Sequence, residues 1–169
     1  MQRKGGRPCY PGMQQLTFRS IPASVAQKVR ASRLDDFGHR LHVQKDQASP
    51  CRVCLRITKV GEPVLLLTHN PFGADYGPYS EVGPIFIHAE ECAPYADVHA
   101  LPPDFAPREL VLRAYNHAHA IEDSVIARPG EAERAALRFF ENPHVAYIHV
   151  RHTTYGCFDF MIERNTNGA

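Results

Sequence analysis

Three cysteines and one histidine form two closely spaced pairs in the middle of the chain. Two residues separate Cys51 from Cys54, and three separate His88 from Cys92. Two thiolates on a tight turn can bind one metal ion, and a second pair about one helical turn apart can complete a tetrahedron. Soft thiolates with one imidazole favour zinc. With four protein ligands such a zinc ion would be closed to substrate and therefore structural.

The same residues are compatible with two other roles. Cysteine is often a small buried side chain, and His88 would then be hydrogen-bonded to a backbone carbonyl. A C-x-x-C pair can also carry redox chemistry, which would involve Cys51 and Cys54. Further along the chain, His117 and His119 have the spacing of a metal pair on a strand. An exposed turn is the simpler interpretation of that segment.

The polar faces of two adjacent strands are predicted to meet in a hairpin near the C-terminus. Residues 145–152 and 157–164 both alternate between polar and apolar side chains, so each strand has one polar face. On that face Arg151 could bind an anion, while His149 or Cys157 carries out proton transfer or nucleophilic chemistry. The polar face is predicted to carry Tyr147, His149, Arg151, Cys157, Asp159, Met161 and Glu163, and the core face Ala146, Ile148, Val150, Phe158, Phe160 and Ile162.

The alternative interpretation of this face is a solvated surface with cross-strand ion pairs. The connecting loop is predicted at residues 154–156, with Gly156 in the left-handed conformation. Arg151 and Asp159 would then lie opposite each other and pair. The full predicted register joins Thr153 to Cys157, Arg151 to Asp159, Val150 to Phe160 and Ile148 to Ile162.

The elements that must position these residues follow from periodicity and from glycine and proline. Hairpins mixed with two helices predict an α+β fold, mainly an antiparallel sheet with two helices and a C-terminal β-hairpin. Residues 70–84 are rich in glycine and proline and predict a loop long enough to line a binding cleft. Strands are predicted at 16–21, 41–44, 51–57, 63–69, 85–87, 109–115, 123–128, 145–152 and 157–164, and helices at 23–35 and 131–141.

Composition excludes several classes of protein. The 169 residues carry 19 Lys and Arg against 18 Asp and Glu, so no strong basic field is available to attract nucleic acid. No apolar run is long enough to span a membrane. Five cysteines, an odd number, without an export signal predict reduced thiols in the cytoplasm rather than a disulfide framework.

The N-terminal segment differs in composition from the rest of the chain. Residues 1–14 are rich in glycine, proline and basic side chains and lack the apolar stretch of a secretory signal. They predict a disordered leader, followed by a single α+β domain at 15–169. Met13 is a second candidate for the start of translation, because the patterned sequence begins just after it.

Three blocks of sequence resemble a known protein family. They read PCRVCLRITKVGEPVLLLTHNPF at 50–72, YSEVGPIFIHAEECAPY at 79–95 and AYIHVRHTTYGCFDFMIER at 146–164. As a set they resemble the domain-of-unknown-function family 1203, along residues 16–164. That family has no established activity, so the resemblance implies a fold and not a reaction.

Two functions remain open. The first is a zinc-stabilised binding module that contacts a protein or a small ligand through the loop 70–84. The alternative is a small-molecule enzyme, although no G-x-S-x-G elbow, phosphate loop or H-E-x-x-H motif occurs. Convergence of the hairpin residues in one concave cavity would favour the enzyme, and a flat, solvated face the module. The catalytic candidates are His149, Arg151, Cys157 and Asp159, and the ligand-binding candidates are Arg113, Tyr115 and Arg151.

Overall fold

A computed structural model describes residues 16–45, 48–75 and 77–165 of the chain. The predicted leader at 1–14, and Met13 with it, lies outside these residues. Neither helix in the described part has the length and apolar character needed to cross a bilayer. The elements are β1 (Leu16–Arg19), α1 (Ala23–Ser32), β2 (Val43–Lys45), β3 (Pro63–His69), β4 (Gly83–His88), β5 (Leu110–Tyr115), β6 (Ile121–Ala127), α2 (Ala132–Phe139), β7 (Tyr147–His152) and β8 (Phe158–Arg164).

The strands form two antiparallel sheets. The larger has the order β1-β8-β7-β5-β6, and the smaller has the order β2-β3-β4. With two helices and a hairpin formed by β7 and β8, the fold class is α+β, as the sequence predicts. The helix α1 is shorter than predicted, because Arg33 adopts a left-handed conformation with φ 56° and ends it.

One face of the large sheet packs against α2. Alternate residues of the strands point to this face, including Leu112, Ile148 and Phe160, all fully buried. Helix α2 contributes Ala136 and Phe139 from one side of its surface. Period-two patterning in the strands and helical spacing in α2 therefore produce the first hydrophobic core.

The opposite face of the large sheet is also covered. The small sheet, α1 and two side chains of β8, Phe158 and Met161, form a second apolar cluster there. His149 and Asp159 are 0% exposed and Arg151 is 4% exposed. The prediction of a solvated polar face is therefore wrong, because the second sheet and its loops exclude water from it.

The loop of the C-terminal hairpin is one residue longer than predicted. The His152 N–H donates to the Cys157 carbonyl at 2.9 Å, and the Gly156 N–H donates to the His152 carbonyl at 2.8 Å. The loop therefore includes Thr153 as well as residues 154–156, and Cys157 pairs with His152. Gly156 has φ 70°, which confirms the left-handed conformation expected there.

A β-bulge in β8 compensates for the longer loop. Arg151 pairs with Phe158, whereas Val150 pairs with Phe160, so Asp159 is the extra residue. The predicted pairing of Arg151 with Asp159 is therefore wrong. Phe158, predicted on the core face, lies instead on the same face of the sheet as Arg151, away from the α2 core. Beyond the bulge the predicted register is confirmed, with Val150 opposite Phe160 and Ile148 opposite Ile162.

Asp35 joins the end of α1 to the small sheet. Its carboxylate accepts backbone N–H bonds from Phe37, His39 and Thr68 at 2.9–3.0 Å. Burial alone would raise the pKa of Asp35, but these backbone bonds and the His39 ring outweigh it and lower the pKa to about 2. The charged carboxylate thus holds α1 and β3 together.

We expect Asp35→Asn to lower the free energy of unfolding by about 1–3 kcal/mol, because an amide N–H would then face backbone N–H donors. The folded pKa lies below the unfolded value of about 3.9. The wild-type contribution is therefore present above pH of about 4 and is lost as the pH falls towards 2. Urea unfolding across this pH range measures both effects.

Asp36→Asn is the matched control. Asp36 forms an exposed ion pair with Lys28, so its replacement should change stability by no more than about 1 kcal/mol. Equal losses for the two variants would contradict the role assigned to Asp35.

Candidate functional site

The four predicted metal ligands converge. The donor atoms of Cys51, Cys54, His88 and Cys92 all lie within 4.8 Å of one another. The Cys51 and Cys92 sulfur atoms are 3.8 Å apart, and the Cys54 sulfur is 3.6 Å from His88 Nδ1. A tetrahedral zinc ion with Zn–S of about 2.3 Å would separate two sulfurs by about 3.8 Å and sulfur from nitrogen by about 3.6 Å. The donor set therefore fits zinc in both chemistry and spacing.

The first pair is held on a knuckle and not on the strand predicted at 51–57. The Leu55 N–H donates to the Cys51 carbonyl, and the Cys51 N–H donates to the Arg56 carbonyl, both at 2.9 Å. Leu55 has φ 54°, a left-handed conformation that favours glycine. Its side chain is 1% exposed in the α2 core, and this burial offsets the cost of the turn.

The second pair comes from the end of β4 and the segment after it. His88 is the last residue of β4, and Cys92 follows in irregular chain rather than in the helical turn expected there. The knuckle lies beside β4, because the Arg52 N–H donates to the Phe86 carbonyl at 3.0 Å and the His88 N–H points to the Cys51 sulfur at 3.4 Å. The β3–β4 hairpin thus returns the chain to the cysteines.

Charged side chains surround the four donors. His88 Nε2 lies 3.6 Å from a carboxylate oxygen of Glu62, so the ring presents Nδ1 to the cluster. Arg30 donates to the Cys92 sulfur at 3.5 Å and to the His88 carbonyl at 3.2 Å. The ring of His88 therefore contacts Cys54 and Glu62 and not a backbone carbonyl, which removes the simpler interpretation of that histidine.

In the metal-free cluster the protons are shared unequally among the four donors. Hydrogen bonds with the Cys54 and Cys92 thiols lower the pKa of Cys51 well below its usual range. Hydrogen bonds with Cys51 and Cys54 raise the pKa of His88 to about 10. Hydrogen bonds with Cys51 and Cys54 also raise the pKa of Cys92 above its usual range. Metal ligands are thiolates and a neutral imidazole, so a metal ion that binds here must displace the protons of His88 and Cys92.

Two of the predicted ligand-binding residues, Arg113 and Arg151, contact the same carboxylate. Arg151 Nη1 lies 2.8 Å from one oxygen of Glu81, and Arg113 Nη1 lies 2.8 Å from the other. Glu81 belongs to the predicted loop 70–84, whose last two residues are the first two of β4 instead. Phe72 and Glu81 of this loop contact side chains of the large sheet. The predicted ligand-binding residues Arg113 and Arg151 therefore share one loop carboxylate, and Tyr115 lies beside them on β5.

His149 is enclosed by aromatic rings. Phe72, Tyr115, Tyr147 and Phe158 have ring centroids 4.8–5.1 Å from that of His149. Burial, followed by the positive charge of Arg151, lowers the pKa of His149 well below its usual range. The imidazole is thus neutral, and neither ring nitrogen has a hydrogen-bond partner among the described residues.

Asp159 and Cys157 do not join His149 in a catalytic arrangement. The Asp159 carboxylate lies 2.9 Å from Arg52 Nη2 in a pair that is almost fully buried. Cys157 contacts the Tyr155 carbonyl at 3.8 Å. A nucleophile and a base within hydrogen-bond reach are therefore not found in this group, and the predicted catalytic set is not assembled as such.

The other histidine pair lies on a turn. His117 and His119 lie between β5 and β6, and His119 Nδ1 is 2.5 Å from the Tyr147 hydroxyl. Within the ranges that the structure describes, no second group of three or more ligand side chains has the spacing of a metal site.

A family model described as "Protein of unknown function (DUF1203)" matches residues 48–164, which is more than half of the chain. The chain belongs to the DUF1203 family. Searches of the curated proteins and of the solved structures gave no significant match. The matched segment contains both ligand pairs and the C-terminal hairpin.

Three residues of this DUF1203 domain matter to the site and were missed by sequence reasoning. They are Arg52, Glu62 and Glu81, which contact Asp159, His88 and the two arginines respectively. Arg52 lies between the two cysteines of the knuckle, and Glu81 lies in the predicted cleft-lining loop. Their partners are distant in sequence, so no spacing pattern could identify them.

If zinc is added to the protein, we expect Glu62→Gln to weaken its affinity by about 10–100-fold, because an amide orients and polarises the His88 ring less than a carboxylate does. Competition with a fluorescent chelator measures the affinity. Glu91→Gln, an exposed change beside Cys92, is the control and should leave it unchanged. Similar affinities for wild type and Glu62→Gln would contradict this role.

We expect Asp159→Asn to cost about 1–3 kcal/mol of stability, because Arg52 loses its counter-charge while the amide oxygen can still accept from it, and burial already disfavours the charged carboxylate. Chemical unfolding at neutral pH measures the loss. Glu163→Gln breaks the exposed cross-strand pair with Arg19 and should cost no more than about 1 kcal/mol. A small loss for Asp159→Asn would show that the buried pair contributes little.

Proposed function

We propose that this DUF1203 domain is a zinc-stabilised binding module. The convergence of one imidazole and three thiol donors within 4.8 Å carries the proposal. Three thiolates and one imidazole are a common ligand set of structural zinc sites. The guanidinium of Arg30 beside Cys92 would offset the net negative charge of such a centre.

The proposed zinc ion has a structural role, because its four ligands leave no position for a substrate. It would join the knuckle, the end of β4 and the segment that leads to Cys92. These segments come together only in the folded chain, so the free energy of metal binding contributes to folding. Zinc thiolates need a reducing compartment, which agrees with the cytoplasmic location expected from the sequence.

The binding surface that we propose lies under the loop 70–84. The loop supplies Glu81 to two arginines and Phe72 to the aromatic cluster around His149. A cavity of about 220 Å³ lies beside it, lined in part by Glu81, Arg151 and Phe158. Concave shape with a few charged groups is typical of small-ligand sites. A small molecule is therefore the better candidate for the partner than a nucleic acid.

Binding is better supported than catalysis. His149 is buried among aromatic rings, outside the lining of this cavity, and its nitrogens contact no nucleophile among the described residues. Arg151 and Cys157 line the cavity, but the Cys157 thiol contacts the Tyr155 carbonyl and not a base that could activate it. We therefore assign Arg113 and Arg151 to ligand recognition.

Purified protein is expected to contain one zinc ion per chain by elemental analysis. Removal of the metal with a strong chelator should lower stability by at least about 3 kcal/mol, or roughly 6–12 °C in Tm for a chain of this size. Cys51→Ser should produce a similar loss, because it removes one ligand of the tetrahedron.

Cys157→Ser is the matched control, since Cys157 contacts the Tyr155 carbonyl and lies outside the cluster. It should leave both zinc content and Tm close to those of the wild type. Protein that lacks metal and is unaffected by the chelator would overturn the zinc proposal.

A further inference from the structure

A buried guanidinium, that of Arg151, lines the cavity under the loop 70–84, and only some of its N–H groups have hydrogen-bond partners among the described residues. The side chain of Arg151 is 5% exposed, and the residue lines the cavity of about 220 Å³. Its Nη1 donates to the Gly156 carbonyl at 3.0 Å and pairs with Glu81 at 2.8 Å. Its Nε and Nη2 have no partner among the described residues. Buried guanidinium donors without partners are costly, so a further acceptor is expected here.

Positive charge exceeds negative charge around this cavity. The buried Arg52 is matched by Asp159, whereas Arg113 and Arg151 share the single carboxylate of Glu81. His69 also lines the cavity, but it contributes no positive charge at neutral pH, because burial lowers its pKa to about 4. Arg113, Arg151 and Glu81 together carry one net positive charge, so one carboxylate balances these three side chains even after it takes the place of Glu81, which stays tethered nearby on its loop.

Glu81 holds the position that a ligand carboxylate would take. Its two oxygens contact Arg113 and Arg151, each at 2.8 Å, although its side chain is 48% exposed. It stands on irregular chain before β4, so it can leave the arginines at low cost in packing. Glu81 uses one nitrogen of Arg151, whereas a free carboxylate can rotate to form the two parallel bonds that guanidinium favours.

The walls of the cavity define the rest of the ligand. Pro71, Val82, Pro84 and Phe158 line it with apolar surface. Its volume of about 220 Å³ is smaller than the roughly 300–1,000 Å³ of sites for drug-sized ligands. A small acid with an apolar body fits such a space, and a nucleotide does not.

We propose that the cavity under the loop 70–84 binds a small monocarboxylic acid with an apolar body, whose carboxylate replaces Glu81 on Arg113 and Arg151. The proposal rests on the assignment of a ligand site to this cavity, and it adds the chemical class of the ligand. Glu81 then acts as an internal competitor, and the loop that carries it moves when the acid enters.

The test is titration calorimetry of the zinc-loaded full-length protein with butyrate and benzoate. Butyramide and benzamide serve as neutral matches, and inorganic phosphate serves as an anion without an apolar body. At least one acid should bind more tightly than its amide and more tightly than phosphate. Arg151→Gln should weaken binding of that acid by at least about ten-fold, because it removes the buried guanidinium.

Two further variants and one control keep the test valid even if Arg151→Gln does not fold. Arg113→Gln changes the more exposed of the two arginines, at 28% side-chain exposure, and should also weaken binding of the acid. Glu81→Gln removes the competing charge and should tighten it. Arg108→Gln, in a neighbouring cavity of about 420 Å³, should leave binding of the acid unchanged. Zinc content and Tm establish that each variant is folded.

Each alternative result overturns the inference. The inference is wrong if neither acid binds, if acid and amide bind with equal affinity, or if phosphate binds more tightly than both acids. Unchanged or weaker binding by Glu81→Gln would exclude the competitor role. If the amides bind and the acids do not, the carboxylate class is wrong while the binding-module proposal stands.

Discussion

The buried ion pair between Arg52 and Asp159 joins the two halves of the structure. Arg52 stands within the cysteine knuckle, and its guanidinium also donates to the carbonyls of Pro50 and Phe158. Asp159 is the extra residue of the β-bulge in β8. A buried charge is tolerated only when it is paired and hydrogen-bonded, so the knuckle and the bulge must meet in one geometry. Burial raises the pKa of Asp159 to about 6, even against the positive charge of Arg52.

The two faces of the large sheet therefore have different roles. The α2 face is apolar, and its side chains interdigitate as in most α+β cores. The other face places His149 and Arg151 beneath the small sheet and its loop, where water is excluded. Excluding water keeps the imidazole neutral and leaves the guanidinium dependent on nearby acceptors. A face of this kind recognises a charged group more strongly than a solvated one does.

Strand β4 connects the cysteine and histidine cluster to the cavity. His88 ends the strand within the cluster, and Glu81 lies just before its first residue, beside the arginines. Antiparallel pairing with β3 fixes the strand between these two points. A metal ion that fixes His88 would thus anchor one end of the chain that lines the cavity. At the other end, Glu81 precedes the first residue of β4 and contacts Arg151.

Local pattern was sufficient to predict much of this protein. Alternation of apolar residues predicted the strands from Leu110 to Tyr115 and in the hairpin, because side chains on a strand point to opposite faces whatever lies above them. The spacing of Cys51, Cys54, His88 and Cys92 predicted the cluster, because the reach of a short turn is set by covalent geometry. The α+β class followed from the order of these elements.

Contacts between distant segments determine the pairing and burial of the charged residues, which the sequence pattern did not predict. Asp159 is the bulged residue of β8, and it pairs inside the protein with Arg52, more than a hundred residues earlier. The alternation of β8 has no sign of the extra residue, so the predicted pairing of Arg151 with Asp159 was wrong. Burial of the polar face depends on the second sheet, and a strand's own sequence does not reveal what covers it. Contacts between distant segments, formed only on folding, place these charges.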